Sequence, residues 1–145
     1  MRLHLITVGE AKLKYAKEGW TEYYTRLSRY HQLKVTRIRD SDPVREGKQI
    51  LESAKQAYLM PLDSKGVQLT SEALSGHLDR LAVSGRSDVA FVIGSSLGLS
   101  DEVRERAHFL WSLSYLTFPH DLAMVLMLEA LYRASSISRG EPYHK

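Results

Sequence analysis

Val89-Ala90-Phe91-Val92-Ile93-Gly94-Ser95-Ser96-Leu97-Gly98-Leu99-Ser100 reads as an apolar strand, a glycine-bearing turn and the start of a helix. A strand without polar alternation has to be covered on both faces, as in a parallel sheet flanked by helices. Ser100, followed by Asp101-Glu102-Val103, supplies an N-cap and negative charge in the first turn, where the macrodipole favours it. In open α/β sheets ligands bind beyond the carboxyl ends of the strands. The 94–100 turn is therefore a candidate site: glycine lets backbone approach a ligand, and N–H groups at a helix start can hold polar atoms. It carries neither the G-x-G-x-x-G fingerprint nor the Gly-Lys-Ser/Thr of a P-loop. A plain strand-to-helix connection accounts for it equally well.

The same exchange of periodicities extends in both directions. Residues 2–8 alternate like a strand, and residues 16–29 place Trp20, Tyr23, Tyr24 and Leu27 at helical spacing. Leu33–Ile38 alternates again, and Asp42-Pro43 opens a helix expected to reach Ala57. Tyr58–Leu62 is a short apolar strand whose Pro61 predicts an edge or a strand end. Thr70-Ser71 caps a third helix, and Gly85 lies just past its end. Beyond the opening stretch, Leu113–Phe118 is a half-polar strand or loop, and a last helix runs from His120 to about Ser138. Strand and helix in regular alternation predict an α/β fold with a mostly parallel sheet and helices on both faces. No linker, repeat or low-complexity segment interrupts residues 1–145, so a single domain is expected.

The last helix is apolar on every side: from Leu122 to Ala134 only Glu129 and Arg133 are strongly polar. Such a helix is buried on more than one side. In a chain of 145 residues this predicts a homodimer contact, with burial inside one subunit as the alternative.

Composition narrows the function classes. A hydrophobic fraction of 43% with 26% charged residues suits a folded globular protein rather than a disordered one. The absence of cysteine excludes disulfides, thiolate catalysis and cysteine-ligated zinc. No apolar run approaches the roughly 20 residues that span a bilayer, and the start reads as a strand rather than a signal peptide. A cytoplasmic protein without a membrane partner is expected. Residues 1–57 hold 12 Lys/Arg against 7 Asp/Glu, whereas residues 58–145 hold 8 against 10. A basic half suits a polyanionic partner, although a solvated basic surface gives the same count.

Two further segments can carry chemistry. Leu113-Ser114-Tyr115-Leu116-Thr117-Phe118-Pro119-His120 passes from hydroxyl residues into a helix start, which leaves backbone donors and acceptors available. The tail Arg139-Gly140-Glu141-Pro142-Tyr143-His144-Lys145 is either a frayed end or a closing segment. In the second case Tyr143 would stack on a base and His144 would move a proton. The six histidines form no H-E-x-x-H pair, so no metal site is expected. No G-x-S-x-G elbow is present, and Met60, Met124 and Met127 read as core filling.

In order and spacing, Phe91–Ser100, Leu113–His120, and Glu129-x-x-Tyr132-Arg133-Ala134 followed by Arg139–His144 resemble the RlmH (YbeA-type) methyltransferases of the SPOUT class. The resemblance extends to the strand at Met1–Gly9 and to the length of the chain. It implies a C-terminal trefoil knot, one of the rare exceptions to the unknotted rule, and a homodimer. It also implies S-adenosylmethionine as cofactor and N3 methylation of a pseudouridine in the helix 69 loop of large-subunit ribosomal RNA, within the assembled ribosome. Carried over position by position, it assigns the cofactor to Leu62, Gly94, Gly98, Leu113, Ser114, Tyr115, Leu116, Thr117 and Phe118. It places Arg133, Tyr143 and His144 at the catalytic, RNA-facing end. The chain departs from the family pattern at Ser95, where a second glycine is usual, and at Met124, where an arginine is usual. Those departures keep a second reading open, a non-catalytic ribosome-binding or assembly protein on the same fold. A flavodoxin-like nucleotide binder would need a phosphate-cradling loop after the first strand, which Gly9-Glu10-Ala11 does not supply.

Overall fold

The computed structural model describes residues Met1–Lys145. Five strands, β1 (Arg2–Val8), β2 (Gln32–Ile38), β3 (Tyr58–Gln68), β4 (Asp88–Ile93) and β5 (Trp111–Ser112), pair in parallel in the order β2-β1-β4-β3-β5. Between and after them lie α1 (Lys14–Leu27), α2 (Pro43–Ala54), α3 (Ser71–Val83), α4 (Asp101–Arg106) and α5 (His120–Ser138).

The pleat divides the apolar residues between two cores. Leu3 and Leu5 of β1 join Val89, Phe91 and Ile93 of β4 under α1, α3 and α5. Their in-between neighbours Ile6, Val8, Ala90 and Val92 pack with Ile50 and Ala54 of α2 and Val103 of α4. The continuous apolar run in β4 is thus the signature of a central strand covered by helices on both faces. Phe91, wholly buried, is a point where truncation to alanine would cost about 3–5 kcal/mol.

Several boundaries differ from the sequence reading, each for a local reason. The second helix stops at Ala54 rather than Ala57, because Lys55 takes φ +51 and leaves the helical region. Pro61 is not on an edge: β3 lies between β4 and β5, and β2 and β5 form the borders. Pro61 does sit where pairing with β4 ends and, one residue on, pairing with β5 begins. The fifth strand is Trp111–Ser112, so residues 113–119 form a loop. Met124 is buried in the larger core, where a thioether fits better than a guanidinium.

Caps behave as the sequence suggests. Asp42, Thr70 and Ser100 each accept the amide three residues on, from Arg45, Ala73 and Val103. The first helix has no such cap of its own. Instead the carboxylate of Asp121, at the start of α5, accepts the amides of Lys12 at 3.0 Å and Leu13 at 2.7 Å. Those bonds, with burial opposing them, hold the Asp121 carboxyl below its ordinary range. Alongside, Gly19 of α1 leaves room for Val125 of α5, whose Cγ1 would stand 3.0 Å from any added Cβ.

Candidate active site

The carboxyl ends of β3, β4 and β5 open into a cleft of about 370 Å³. Its walls come from residues 62–64, the turn after β4, Arg104 of α4, and the loop 113–119 with the first turn of α5. Two glycines set the shape of the turn. A Cβ on Gly94 would meet Leu99 Cδ2 at 2.9 Å, and Gly98 takes φ +84 to let its amide donate to Ser95 O at 2.9 Å. Ser95 keeps an ordinary negative φ, and its hydroxyl donates to Glu46 Oε1 at 3.1 Å. The buried Glu46 carboxylate also accepts the Ser41 amide at 2.7 Å. The side chain at position 95 thus closes a hydrogen-bond chain behind the turn.

On the opposite wall Arg104 donates to Asp63 Oδ2 at 2.6 Å. Burial would raise the Asp63 carboxyl, but the bonds from Arg104 and the Lys65 amide outweigh it and keep it below the usual carboxylate range. In the 113–119 loop Ser114 Oγ accepts the Leu116 amide at 3.0 Å. The amides of Ser114, Tyr115, Thr117 and Phe118 have no partner within the chain. His120, whose Nε2 is buried without a partner, closes the floor. The cleft therefore offers apolar walls and backbone donors, with its one strong charge pair already internally satisfied.

Of the residues singled out in the sequence, Leu62, Gly94, Gly98, Leu113, Ser114, Leu116, Thr117 and Phe118 line this cleft together. Tyr115 does not; its side chain points away and is 82% exposed. Asp63, Ser95, Ser96, Leu99, Arg104 and His120 line it too and escaped the sequence reading as cofactor contacts. Most are neighbours of recognised positions. Arg104 had no local signal, because its partner Asp63 lies 41 positions away.

Arg133, Tyr143 and His144 also come together, but elsewhere. After the left-handed Gly140, with φ +67, the amide of Glu141 returns to Ser136 O and turns the tail back over α5. Arg133 donates to Glu129 at 2.7 Å and to His144 Nδ1 at 3.2 Å, and its guanidinium lies 4.7 Å from the centre of the Tyr143 ring. His144 Nε2 is 3.0 Å from Glu72. An arginine can only donate, so Nδ1 is the acceptor and Nε2 carries the hydrogen toward the carboxylate. Tyr143 packs edge-on against Tyr132 and reaches the Tyr23 hydroxyl at 3.5 Å. Burial first, then that contact, push the Tyr143 phenol up to about 12. The tail is an ordered cluster of a base, a cation and an aromatic face.

None of these three residues lines the cleft. Arg133 stands 13 positions beyond His120 on the same helix, about 20 Å along its axis at 1.5 Å per residue. The half-buried residues Leu122, Leu126, Glu129, Ala130, Arg133 and Ile137 follow one helical stripe between the two places.

A parallel sheet with a glycine-turn cleft at its carboxyl edge and a returning C-terminal tail is the arrangement expected of the SPOUT methyltransferases. The chain belongs to that family: it matches the model described as "Predicted SPOUT methyltransferase" over residues 1–144. It is 54% identical over 145 residues to the protein named ribosomal RNA large subunit methyltransferase H of Deinococcus deserti, with both chains covered in full. The protein of the same name from Deinococcus radiodurans is 52% identical, covering 100% of this chain and 99% of the relative. Among solved structures, a chain described as a probable methyltransferase from Bordetella pertussis Tohama I superposes with a TM-score of 0.58 at 14% identity, covering 92% of this chain and 95% of the other. At that identity it speaks for the fold, and the family's fold is a knotted one.

Proposed function

We propose that this protein transfers the methyl group of S-adenosylmethionine to N3 of a pseudouridine in the helix 69 loop of large-subunit ribosomal RNA. In this reading it works in the cytoplasm, as a homodimer, on the assembled ribosome. The full-length identity of 54% to a protein named as a ribosomal RNA large subunit methyltransferase is the observation that carries the reading. The cleft supports the choice of cofactor. Its leucines and Phe118 suit an adenine ring, the free amides of Ser114, Tyr115, Thr117 and Phe118 suit its polar edge, and Gly94 keeps clear the space a Cβ would fill. When bound, S-adenosylmethionine supplies a sulfonium methyl group open to in-line displacement.

The chain's own residues then position the acceptor and manage one proton. The imide nitrogen of the acceptor is protonated at neutral pH and must lose that proton as it attacks. His144 Nδ1 takes it, with Glu72 orienting the ring through Nε2–H. Arg133, released from Nδ1, steadies the developing anion or a neighbouring phosphate. Tyr143 offers a face for a base. With about 20 Å between tail and cleft in one subunit, the reading needs a second copy. An isologous dimer across the half-buried stripe of α5, with the helices antiparallel, would bring each tail toward the other's cleft.

Mass spectrometry of ribosomal RNA from cells lacking the protein tests the reading. The expected result is loss of one methyl group from a single pseudouridine, restored by the wild-type gene. An unchanged methylation pattern overturns it and leaves the assembly-factor reading.

A further inference from the structure

We propose that a cationic hollow at the amino ends of β3, β4 and β5, formed by Lys55, Arg86, Arg106 and His108, grips the phosphodiester backbone of the RNA substrate. The inference rests on the methyltransferase reading and concerns the end of the sheet opposite the cofactor cleft. Three successive connections converge there. The α2–β3 link brings Lys55, the α3–β4 link brings Arg86, and the last residue of α4 with the segment after it brings Arg106 and His108. They enclose about 350 Å³, and no carboxylate lies among the lining residues.

The charges in this hollow have no carboxylate partner, although the Arg86 guanidinium lies 5.9 Å from the centre of the Tyr58 ring. Arg2, at the start of β1, is held by Asp88 at 2.6 Å, and Arg104 by Asp63. Lys55, Arg86 and Arg106 make no ion pair anywhere in the chain. Three cations gathered without a counter-charge repel one another, and an anion relieves that repulsion. His108 adds a neutral donor. Its Nδ1 accepts the Leu59 amide at 2.9 Å, so the hydrogen sits on Nε2, which has no partner in the chain.

Backbone geometry also singles out the site. Lys55 is the one non-glycine residue with positive φ, at +51 with ψ −120. Glycine occupies that region at ease, whereas a lysine there is strained. Its amide is tied to Leu51 O at 3.1 Å, so the strain fixes where the side chain leaves the surface. Arg86 is fixed likewise, through its amide bond to Leu81 O at 2.8 Å after the left-handed Gly85.

Position favours RNA over a free anion. β4 has six residues, so the hollow stands about 20 Å across the sheet from the cleft, too far to touch a bound cofactor. The tail lies at the same end of the sheet: Tyr30, just before β2, donates to Glu141 at 2.7 Å. A polyanion that reaches the tail has a backbone long enough to reach the hollow. Phosphate contacts of this kind set register without reading sequence.

The test uses the full chain and purified ribosomes, with Lys55→Gly, Arg86→Gln, Arg106→Gln and the triple variant. Each single change is expected to lower the slope of log affinity against log salt by about one. The triple variant is expected to lose roughly 10- to 100-fold in ribosome affinity at physiological salt, with S-adenosylmethionine binding by calorimetry unchanged. Lys55→Gly should raise the melting temperature while weakening ribosome binding, which separates function from folding. Unchanged ribosome affinity and salt slope in a folded triple variant overturn the proposal. So does loss of inorganic phosphate binding with ribosome binding intact, which would make the hollow a site for the free ion. If the wild-type chain binds neither ribosomes nor S-adenosylmethionine, the methyltransferase reading falls and takes this proposal with it.

Discussion

The cleft at the carboxyl edge of the sheet and the cluster at the C-terminal tail are built from different material. The cleft is shaped by backbone, with two glycines and a loop in which four amides are free, and its only strong ion pair is turned upon itself. The tail cluster is shaped by side chains: Arg133 donates to Glu129 and His144, His144 Nε2 stands 3.0 Å from Glu72, and Tyr143 packs edge-on against Tyr132. Backbone suits a cofactor that is always the same molecule and needs close approach. Side chains suit a proton and a charge that change during the reaction. If this division is right, a substitution in one region should leave the other's property untouched.

The largest effect is expected from His144→Ala. Turnover on ribosomes should fall by about 10²–10⁴-fold, the usual worth of a positioned base, while S-adenosylmethionine affinity stays at the wild-type value. A matching collapse of cofactor affinity would break the comparison, because it would place the tail in the cofactor site. Gly94→Val should do the reverse at smaller scale. Its side chain collides with Leu99, which stands 2.9 Å from even a Cβ, so Leu99 must swing toward the cleft. Overpacking of this kind costs about 1–3 kcal/mol, and cofactor affinity should drop by roughly 10- to 100-fold if that cost falls on the bound state. Calorimetry showing wild-type affinity would mean that Gly94 serves only the turn.

The smallest effect concerns pH and belongs to the tail's side alone. His31 sits beneath α5 with Nε2 on Ser135 at 2.9 Å and Nδ1 buried without a partner. Burial first, then the N-terminal amine and Arg139, lower its pKa from 6.5 to about 4. Because the unfolded chain takes up the proton first, stability is full above pH 6.5 and falls as pH drops toward 4. In His31→Gln the fall in melting temperature over that window should be shallower than in the wild type. Equal slopes would show that the imidazole does not titrate in this environment.

The two regions were also unequally legible in the sequence. Gly94, Gly98 and Leu113–Phe118 announce themselves, since a glycine turn after an apolar strand and a hydroxyl loop before a helix are local patterns. Tyr115 follows the same run yet points outward, because in an irregular loop no period fixes which side chains face the site. The Asp63–Arg104 and Ser95–Glu46 contacts join residues 41 and 49 positions apart, and no spacing rule reaches that far. Arg133 and His144 were recognisable as a pair only through family likeness. Their meeting depends on the turn at Gly140, whose positive φ a sequence can suggest but not aim. The alternation of strand and helix was read well, but β3 runs on to Gln68 rather than ending at Leu62. In addition β5 is Trp111–Ser112 rather than part of 113–118, and Pro61 is not on an edge. A proline argues against a central position only when its missing N–H would face a neighbouring strand, and here it falls where the ladder changes partner.

The bond from Asp121 to the amides of Lys12 and Leu13 spans more than a hundred residues of chain. During synthesis from the N-terminus, α1 therefore emerges with its first amides unmet and its face toward α5 uncovered. Both wants are answered only when the final helix has left the ribosome. Contacts so distant along the chain are the slowest to form, so the first helix of this protein is among the last to be secured. The segment that secures it also carries the tail with Tyr143 and His144, so a nascent chain lacking that segment has neither a settled fold nor the base proposed above.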